Sequence, residues 1–461
     1  MHGLTSAHTY FAREALLPTG WHKDVRIEVA ADGTFAEVTP AATADSATVL
    51  PGTVLPGMVN LHSHAFQRAM AGLTERGGPL NDSFWTWREV MYRFLAHLSP
   101  DDVEAIAAQL YADLLQGGFT GVVEFHYLHR DPQGALYKDP AELAQRILRA
   151  AAQTGIGMTL LASLYQQGGF SSAPLQPSQR RFFLDDDHFA EVLAALFRSR
   201  LPGVCIGIAP HSLRAVTPAA LERAIAMLSS HDRQAPIHLH IAEQPAEVSA
   251  CLAWAEKRPI DWLLDNAPVD GRFCLIHATH GDLSELHRLA KTAAVVGLCP
   301  STEADLGDGT FAAAEFLGAH GRIGIGTDSH VGTDAMEELR LLEYSQRLRH
   351  GRRNVLAGAE GRSTGTELWQ QAARGGAQAA GQPTGAIAPG ARADLVTLDA
   401  EHPALVGRSA ALALDSAMFG PGRTIVRDVM VAGQWVVTQH RHVAQDQIAA
   451  RFRATMKRLT E

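Results

Sequence analysis

From residue 57 to about residue 384 the chain repeats one pattern: a short, almost uninterrupted apolar run, a turn, then a dozen or more residues with helical spacing. The apolar runs lie at 57–63, 118–126, 157–163, 204–211, 236–243, 273–278, 293–300 and 322–328. Runs without polar alternation mark strands covered on both faces, and an intervening helix lets successive strands run parallel. Eight such units predict a closed parallel barrel of the α/β class. The flanks have a different texture. Residues 25–30 alternate, 31–34 supply a turn, and 47–51 read as another short strand. After about residue 385, strand runs return at 393–399, 424–433 and 434–437. Residues 1–56 and 385–461 are therefore expected to build one small β domain beside the 57–384 barrel. Residues 446–460 carry the spacing of a surface helix.

Composition narrows the classes of function. The 461 residues are 46% hydrophobic and 19% charged, enough for a barrel with an added domain. With a net charge of −9 and no Lys/Arg block, a nucleic-acid partner is not expected, because phosphate contacts need clustered positive charge. No apolar run reaches the ~18 residues of a membrane span, and the first residues lack a basic segment followed by an apolar one. The four cysteines (Cys205, Cys251, Cys274, Cys299) form no Cys-x-x-Cys, and three lie in strand-like runs. They read as small buried thiols in a reducing cytoplasm.

Candidate chemistry collects where the barrel strands end, the face on which such barrels place their active sites. Strand one ends in His62-x-His64. Residues i and i+2 of a strand project from one face, so these imidazoles converge. Such a pair also arises by chance among 22 histidines, and its position is what makes it informative. Strand five ends at His240 and Glu243, strand six at His277 and His280, strand eight at Asp328 and His330. His62, His64, His240 and Asp328 make a three-His, one-Asp set. It suits Zn²⁺ or Fe²⁺ and leaves a position for water.

With these residues the chain resembles the amidohydrolase superfamily over nearly its whole length. The matching segments are His62-x-His64 after Leu55-Pro-Gly-Met58, His240-x-x-Glu243, His277, Thr327-Asp328 followed by Ser-His330, and Pro389-Gly-Ala-Arg-Ala-Asp-Leu-Val396. The resemblance implies a distorted (β/α)8 TIM barrel, a β-sandwich composed from both termini, and a homodimer. No lysine stands in the strand-four region, Ile208-Ala-Pro-His211-Ser212, where two-metal members carry a carboxylated lysine. That departure points to the single-metal deaminase and chlorohydrolase branch, with one divalent ion, Zn²⁺ first and Fe²⁺ as the other candidate. Asp328 is then a ligand and the acceptor of a water proton, Glu243 the donor to a leaving nitrogen, and His277 a polarising group. From the residues alone, Glu243 as a helix-start residue and His277 as a core histidine stay open. His280 and His330 read as supporting or loop residues, and His238 sits one layer below His240.

Within that superfamily, five segments resemble the formimidoylglutamate deiminases of histidine degradation. They are His62-Ser-His-Ala-Phe-Gln67-Arg-Ala, Phe84-Trp-Thr-Trp-Arg88, Phe125-His-Tyr127-Leu-His, Pro210-His211-Ser-Leu-Arg214 and His238-Leu-His-Ile-Ala-Glu243-Gln. The resemblance assigns substrate contacts to Gln67, Arg88, Tyr127, His211 and Arg214. A glutamate moiety is a dicarboxylate, and two arginines could each clamp one carboxylate through paired bonds. Arg88 could instead stack in its aromatic segment, and Tyr127 could simply pack. The expected reaction is hydrolysis of N-formimino-L-glutamate to N-formyl-L-glutamate and ammonia. The runner-up is deamination of an aminated heterocycle such as guanine or a modified adenosine, and a third possibility is an inactive binding or scaffold member.

Overall fold

The computed structural model describes residues 7–75, 84–420 and 425–460. The chain opens with a hairpin of β1 (His8–Leu17) and β2 (Gly20–Val29), followed by β3 (Phe35–Thr39), β4 (Thr48–Val49) and β5 (Val54–Pro56). Eight parallel strands follow in sequence order: β6 (Met58–Ser63), β7 (Phe119–His126), β8 (Gly157–Leu164), β9 (Cys205–Pro210), β10 (Ile237–Ile241), β11 (Phe273–His277), β12 (Val295–Leu298) and β13 (Arg322–Ile325). After the barrel come β14 (Leu395–Leu398), β15 (Val426–Val431), β16 (Gln434–Thr438) and β17 (Arg441–His442). Thr424, where a strand was expected to begin, lies outside the described residues. The terminal strands form one mixed sheet in the order β17-β16-β15-β14-β5-β1-β2-β3, with β4 beside β1.

The N-terminal flank departs from the expected short strands, since β1 and β2 are ten residues each. β1 hides its length because both of its faces are covered. Leu16 packs with the barrel core, whereas Tyr10, Ala15 and Leu17 join Val25, Ile27, Phe35 and Leu395 inside the terminal sheet. Such a strand shows no alternation to read. The return from barrel to sheet is pinned by a part-buried ion pair. Arg392 Nη2 donates to Asp394 Oδ2 (2.7 Å), which also accepts from the Thr384 hydroxyl (2.7 Å). A helix at Gln445–Thr460 ends the described chain.

The barrel closes between β6 and the exit of β13. Asp328 N–H donates to the His62 carbonyl (3.0 Å), and His64 N–H donates to the Asp328 carbonyl (3.2 Å). Gly326 permits this approach, because a Cβ there would stand 2.8 Å from the His62 nitrogen and Cβ. The helix Thr364–Ala380 lies across the same seam through Gly375 and Gly376, whose bare α-carbons rest on the Ile323 and Val59 carbonyls. Among the described residues no helix is long and apolar enough to cross a membrane.

Candidate metal centre and active site

His62, His64, His240 and Asp328 converge at the carboxyl end of the barrel. The Nε2 atom of His240 lies 3.1 Å from that of His62 and 3.3 Å from that of His64. Asp328 Oδ1 lies 3.5 Å from His62 Nε2 and 3.4 Å from His64 Nε2. The outer nitrogens decide what this means. His64 Nδ1 donates to the Phe125 carbonyl and His240 Nδ1 to the His211 carbonyl, each at 3.0 Å. In the neutral rings the proton is thereby committed to Nδ1, and two Nε2 lone pairs face each other. Lone pairs so placed repel unless a cation lies between them. Donors ~2.0–2.1 Å from a tetrahedral ion stand roughly 3.3 Å apart, so the set fits one. Burial, with neighbouring imidazoles adding to it, holds His62 and His240 well below the usual histidine range. Burial lowers His64 too, against the pull of Asp328. All three are therefore neutral, the form that binds metal.

A second layer surrounds this cluster. His277, at the end of β11, is fully buried and in the left-handed region (φ 67°). Its Nε2 stands 3.7 Å from both Glu243 Oε1 and Asp328 Oδ2, with no hydrogen-bond partner. Its Nδ1 lies 3.2 Å from Glu303 Oε1. Burial alone would lower this imidazole, but Glu243, Glu303 and Asp328 outweigh that and hold it up to about 10. Glu243 moves the other way from an ordinary carboxyl: burial raises it, partly opposed by His277 and Arg214. A buried carboxyl raised in this way can keep a proton to deliver.

The five expected substrate contacts come together. Gln67, Arg88, Tyr127, His211 and Arg214 line one cavity, which His64, His240, Glu243 and Asp328 also reach. Gln67 Nε2 donates to the Tyr127 hydroxyl (2.8 Å), leaving Gln67 Oε1 buried and unpartnered. Burial and the nearby Arg214 charge keep His211 well below its usual range, hence neutral. Arg88 lies over the rings of Trp85 (4.5 Å) and Tyr92 (5.6 Å), so it does stack, yet its Nε has no partner. Among the described residues no carboxylate lies within ion-pair distance of Arg88 or Arg214. Among the described residues the two guanidinium groups thus make no direct ion pair, although the Glu247 and Glu243 carboxyls act on Arg214 from farther off.

The histidines left open find structural partners. His238 Nε2 donates to the Ala379 carbonyl and His280 Nε2 to the Asp308 carbonyl, each at 2.8 Å. His330 bridges Thr327 Oγ1 (2.6 Å) and Ser63 Oγ (3.1 Å). Sequence reasoning missed a supporting layer. The Ser63 and Tyr111 hydroxyls donate to Glu124 Oε2 at 2.5 and 3.1 Å, while burial raises Glu124 to about 7. Glu303 was also missed; it lies on the short helix after strand seven rather than at the strand end. Cys299, expected to be a buried thiol, brings its Sγ within 4.8 Å of ligand atoms of His277 and Asp328, and burial keeps it protonated.

Comparison with known proteins gives the same outline. The amidohydrolase family matches residues 53–436, and the N-terminal domain of formimidoylglutamate deiminase HutF matches residues 7–49. A formimidoylglutamate deiminase from Pseudomonas aeruginosa is 51% identical over 444 residues, 96% of this chain and 97% of that one. The crystal structure of an amidohydrolase from Brucella melitensis superposes with a TM-score of 0.92 at 45% identity, covering 98% of this chain and 100% of that one. An adenosine deaminase from Xanthomonas campestris with bound zinc shares the fold at a TM-score of 0.81 and 22% identity, over 99% of both chains. On the extent of these matches, the chain belongs to the amidohydrolase family.

Proposed function

We propose that the protein is a metal-dependent hydrolase of a carbon–nitrogen bond, converting N-formimino-L-glutamate and water to N-formyl-L-glutamate and ammonia. The observation that carries this reading is the pair of arginines, Arg88 and Arg214, which line the cavity that the His/Asp cluster opens into and make no direct ion pair among the described residues. The substrate is a small dicarboxylate, and each arginine offers a planar fork to one carboxylate. The resemblance to a named formimidoylglutamate deiminase over nearly the full chain supports the choice of dicarboxylate. The unpaired cysteines suit a reducing cytoplasm.

His62, His64, His240 and Asp328 would hold one divalent ion, Zn²⁺ in our reading with Fe²⁺ as the alternative. When bound, such an ion lowers the pKa of a coordinated water to about 7 and so supplies hydroxide at neutral pH. Asp328 Oδ2 accepts the proton of the attacking water. His277 Nε2, aimed at the same space, donates a hydrogen bond to the oxygen that develops charge on the formimino carbon. Glu243 passes one proton to the terminal nitrogen, and the proton taken up by Asp328 follows to the same nitrogen. The carbon–nitrogen bond breaks to release ammonia, while the new hydroxyl returns its proton to Glu243 and becomes the formyl carbonyl. Gln67, Tyr127 and His211 orient the formimino end.

An ammonia-release assay against formimino-glutamate, guanine and an adenosine derivative, with elemental analysis of the same sample, tests this reading. Turnover of formimino-glutamate with about one metal per chain is expected. Turnover of a neutral ring instead, or a sample that is inactive when fully loaded with metal, would overturn it.

A further inference from the structure

The carboxylate of Glu303 is built into the site from outside the substrate cavity. It stands on a short helix, Pro300–Asp305, that follows β12 directly. Its Oε1 accepts the Cys299 N–H (2.9 Å) and faces His277 Nδ1 at 3.2 Å. The side chain therefore turns back toward the strand end and away from solvent, and the residue is buried. Its backbone is fixed as well, since Glu303 N–H donates to the Cys299 carbonyl (2.8 Å) and its carbonyl accepts from Asp308 N–H (2.9 Å). The same helix is tied to the exit of strand eight, because the Thr302 hydroxyl donates to the Thr327 carbonyl (3.0 Å) and Ser329 N–H donates to Thr302 Oγ1 (3.1 Å). Glu303 and Asp328 are thus held in one frame, with His277 between them.

We infer that Glu303 is a positioning residue for His277. A carboxylate on Nδ1 commits that nitrogen to carry hydrogen and turns Nε2 toward Glu243 and Asp328, both 3.7 Å away. His277 needs such a hold. It sits at a strand end with positive φ, as does Ala278 after it (φ 50°), and its Nε2 makes no hydrogen bond that would fix the ring. Among the described residues Glu303 supplies the one hydrogen bond to the imidazole, and it does not line the substrate cavity. Its role is orientation and charge balance at the ring.

The inference rests on the proposed reaction, and the test separates the two. Wild type, Glu303→Gln, Glu303→Asp and Glu303→Ala are assayed on formimino-glutamate, with metal content and thermal midpoint measured on each. An inactive, metal-loaded wild type overturns the reaction and says nothing against the geometry. Gln retains an oxygen for Cys299 N–H but loses the charge, so its kcat should fall on the order of 10²-fold with KM within about twofold and metal content unchanged. Asp, which restores the charge at a shorter reach, should recover part of that loss. Ala can misfold, and for that reason the decision rests on Gln and Asp. A Gln variant with kcat within about twofold of wild type overturns the inference. So does a fall in kcat matched by loss of metal or of thermal midpoint, because that is the signature of a helix-start residue alone.

Discussion

Replacing Arg88 by Met keeps an unbranched side chain against Trp85 and Tyr92 while removing the guanidinium. Arg88 has no carboxylate within ion-pair distance among the described residues, so the change orphans no described anion, and its cost should appear when substrate is present. Each hydrogen bond to a charged group contributes ~1.5–3 kcal/mol, and a paired set removed from a partly open cavity should cost about 3 kcal/mol. At ~1.4 kcal/mol per decade, that is on the order of 10²-fold in kcat/KM. Metal content should not change, because Arg88 touches none of the cluster residues. Ammonia release gives the rate, and elemental analysis of the same preparation gives the metal. Arg214→Met should behave alike, and if the arginines grip different carboxylates the double variant should be additive within about 0.5 kcal/mol. The substrate supplies an independent cut. With N-formimino-L-glutamine, whose side-chain carboxylate is an amide, one of the two arginine variants should lose almost nothing further. If both single variants kept kcat/KM within twofold of wild type on formimino-glutamate, the dicarboxylate clamp would be wrong.

Glu243→Gln should retain metal and substrate binding yet turn over at least 10²-fold more slowly, which single-turnover kinetics would show; an unchanged kcat removes Glu243 from the proton path. Chelation should abolish activity, and one equivalent of Zn²⁺ or Fe²⁺ should restore it; activity that persists in metal-free protein contradicts the cluster's role. Gly326→Ala places a methyl against His62 at the barrel seam and should cost about 1–3 kcal/mol of stability together with metal occupancy, seen in thermal unfolding and elemental analysis. Glu338, buried beneath the Ser301 amide and hydroxyl, is raised to about 8 by burial. In the window between the ordinary carboxyl range and pH 8 the unfolded chain has lost this proton and the folded one keeps it, so stability falls as pH rises. Glu338→Gln should flatten that slope in denaturant titrations across the window, and an unaltered slope would show that Glu338 does not set it.

The residues that read most clearly were those whose role depends on local geometry. His62 lies on β6 and His64 just past its end, still near enough to strand geometry for their ring centroids to stand 4.6 Å apart. His240 and Asp328 were legible because strand ends form a definite face of a barrel. The supporting residues obey no such rule. Glu124 meets Ser63 across 61 positions, His330 meets Ser63 across 267, and Glu303 meets His277 across 26. Each of these pairings depends on which loop reaches which strand end, and periodicity does not encode that. β1 failed for the opposite reason, since it buries residues on both faces, Leu16 on one and Ala15 and Leu17 on the other, and so loses the alternation that would have announced it.

The seam of the barrel and the metal cluster are the same piece of structure. β6 and its exit supply His62 and His64, the exit of β13 supplies Asp328, and the backbone bonds between the two are few: a bridge at Ser63 and Asp328 with the two amide bonds beside it. Side chains complete the join. Asn60 Nδ2 donates to Thr327 Oγ1 (2.7 Å), and Thr327 N–H returns a bond to Asn60 Oδ1 (3.1 Å). Ser63 and His330 then carry the join on to Glu124. An ion held by ligands from the first and last strands would therefore clasp the barrel shut as well as serve the chemistry, because it binds only the closed form. Its contribution to stability follows mass action, about 4 kcal/mol at a thousandfold excess over its Kd. Removing it should loosen the seam before the rest of the barrel, and hydrogen exchange at β6 and at residues 326–330 should rise ahead of exchange at β9, which lies in the middle of the sheet order, away from the seam.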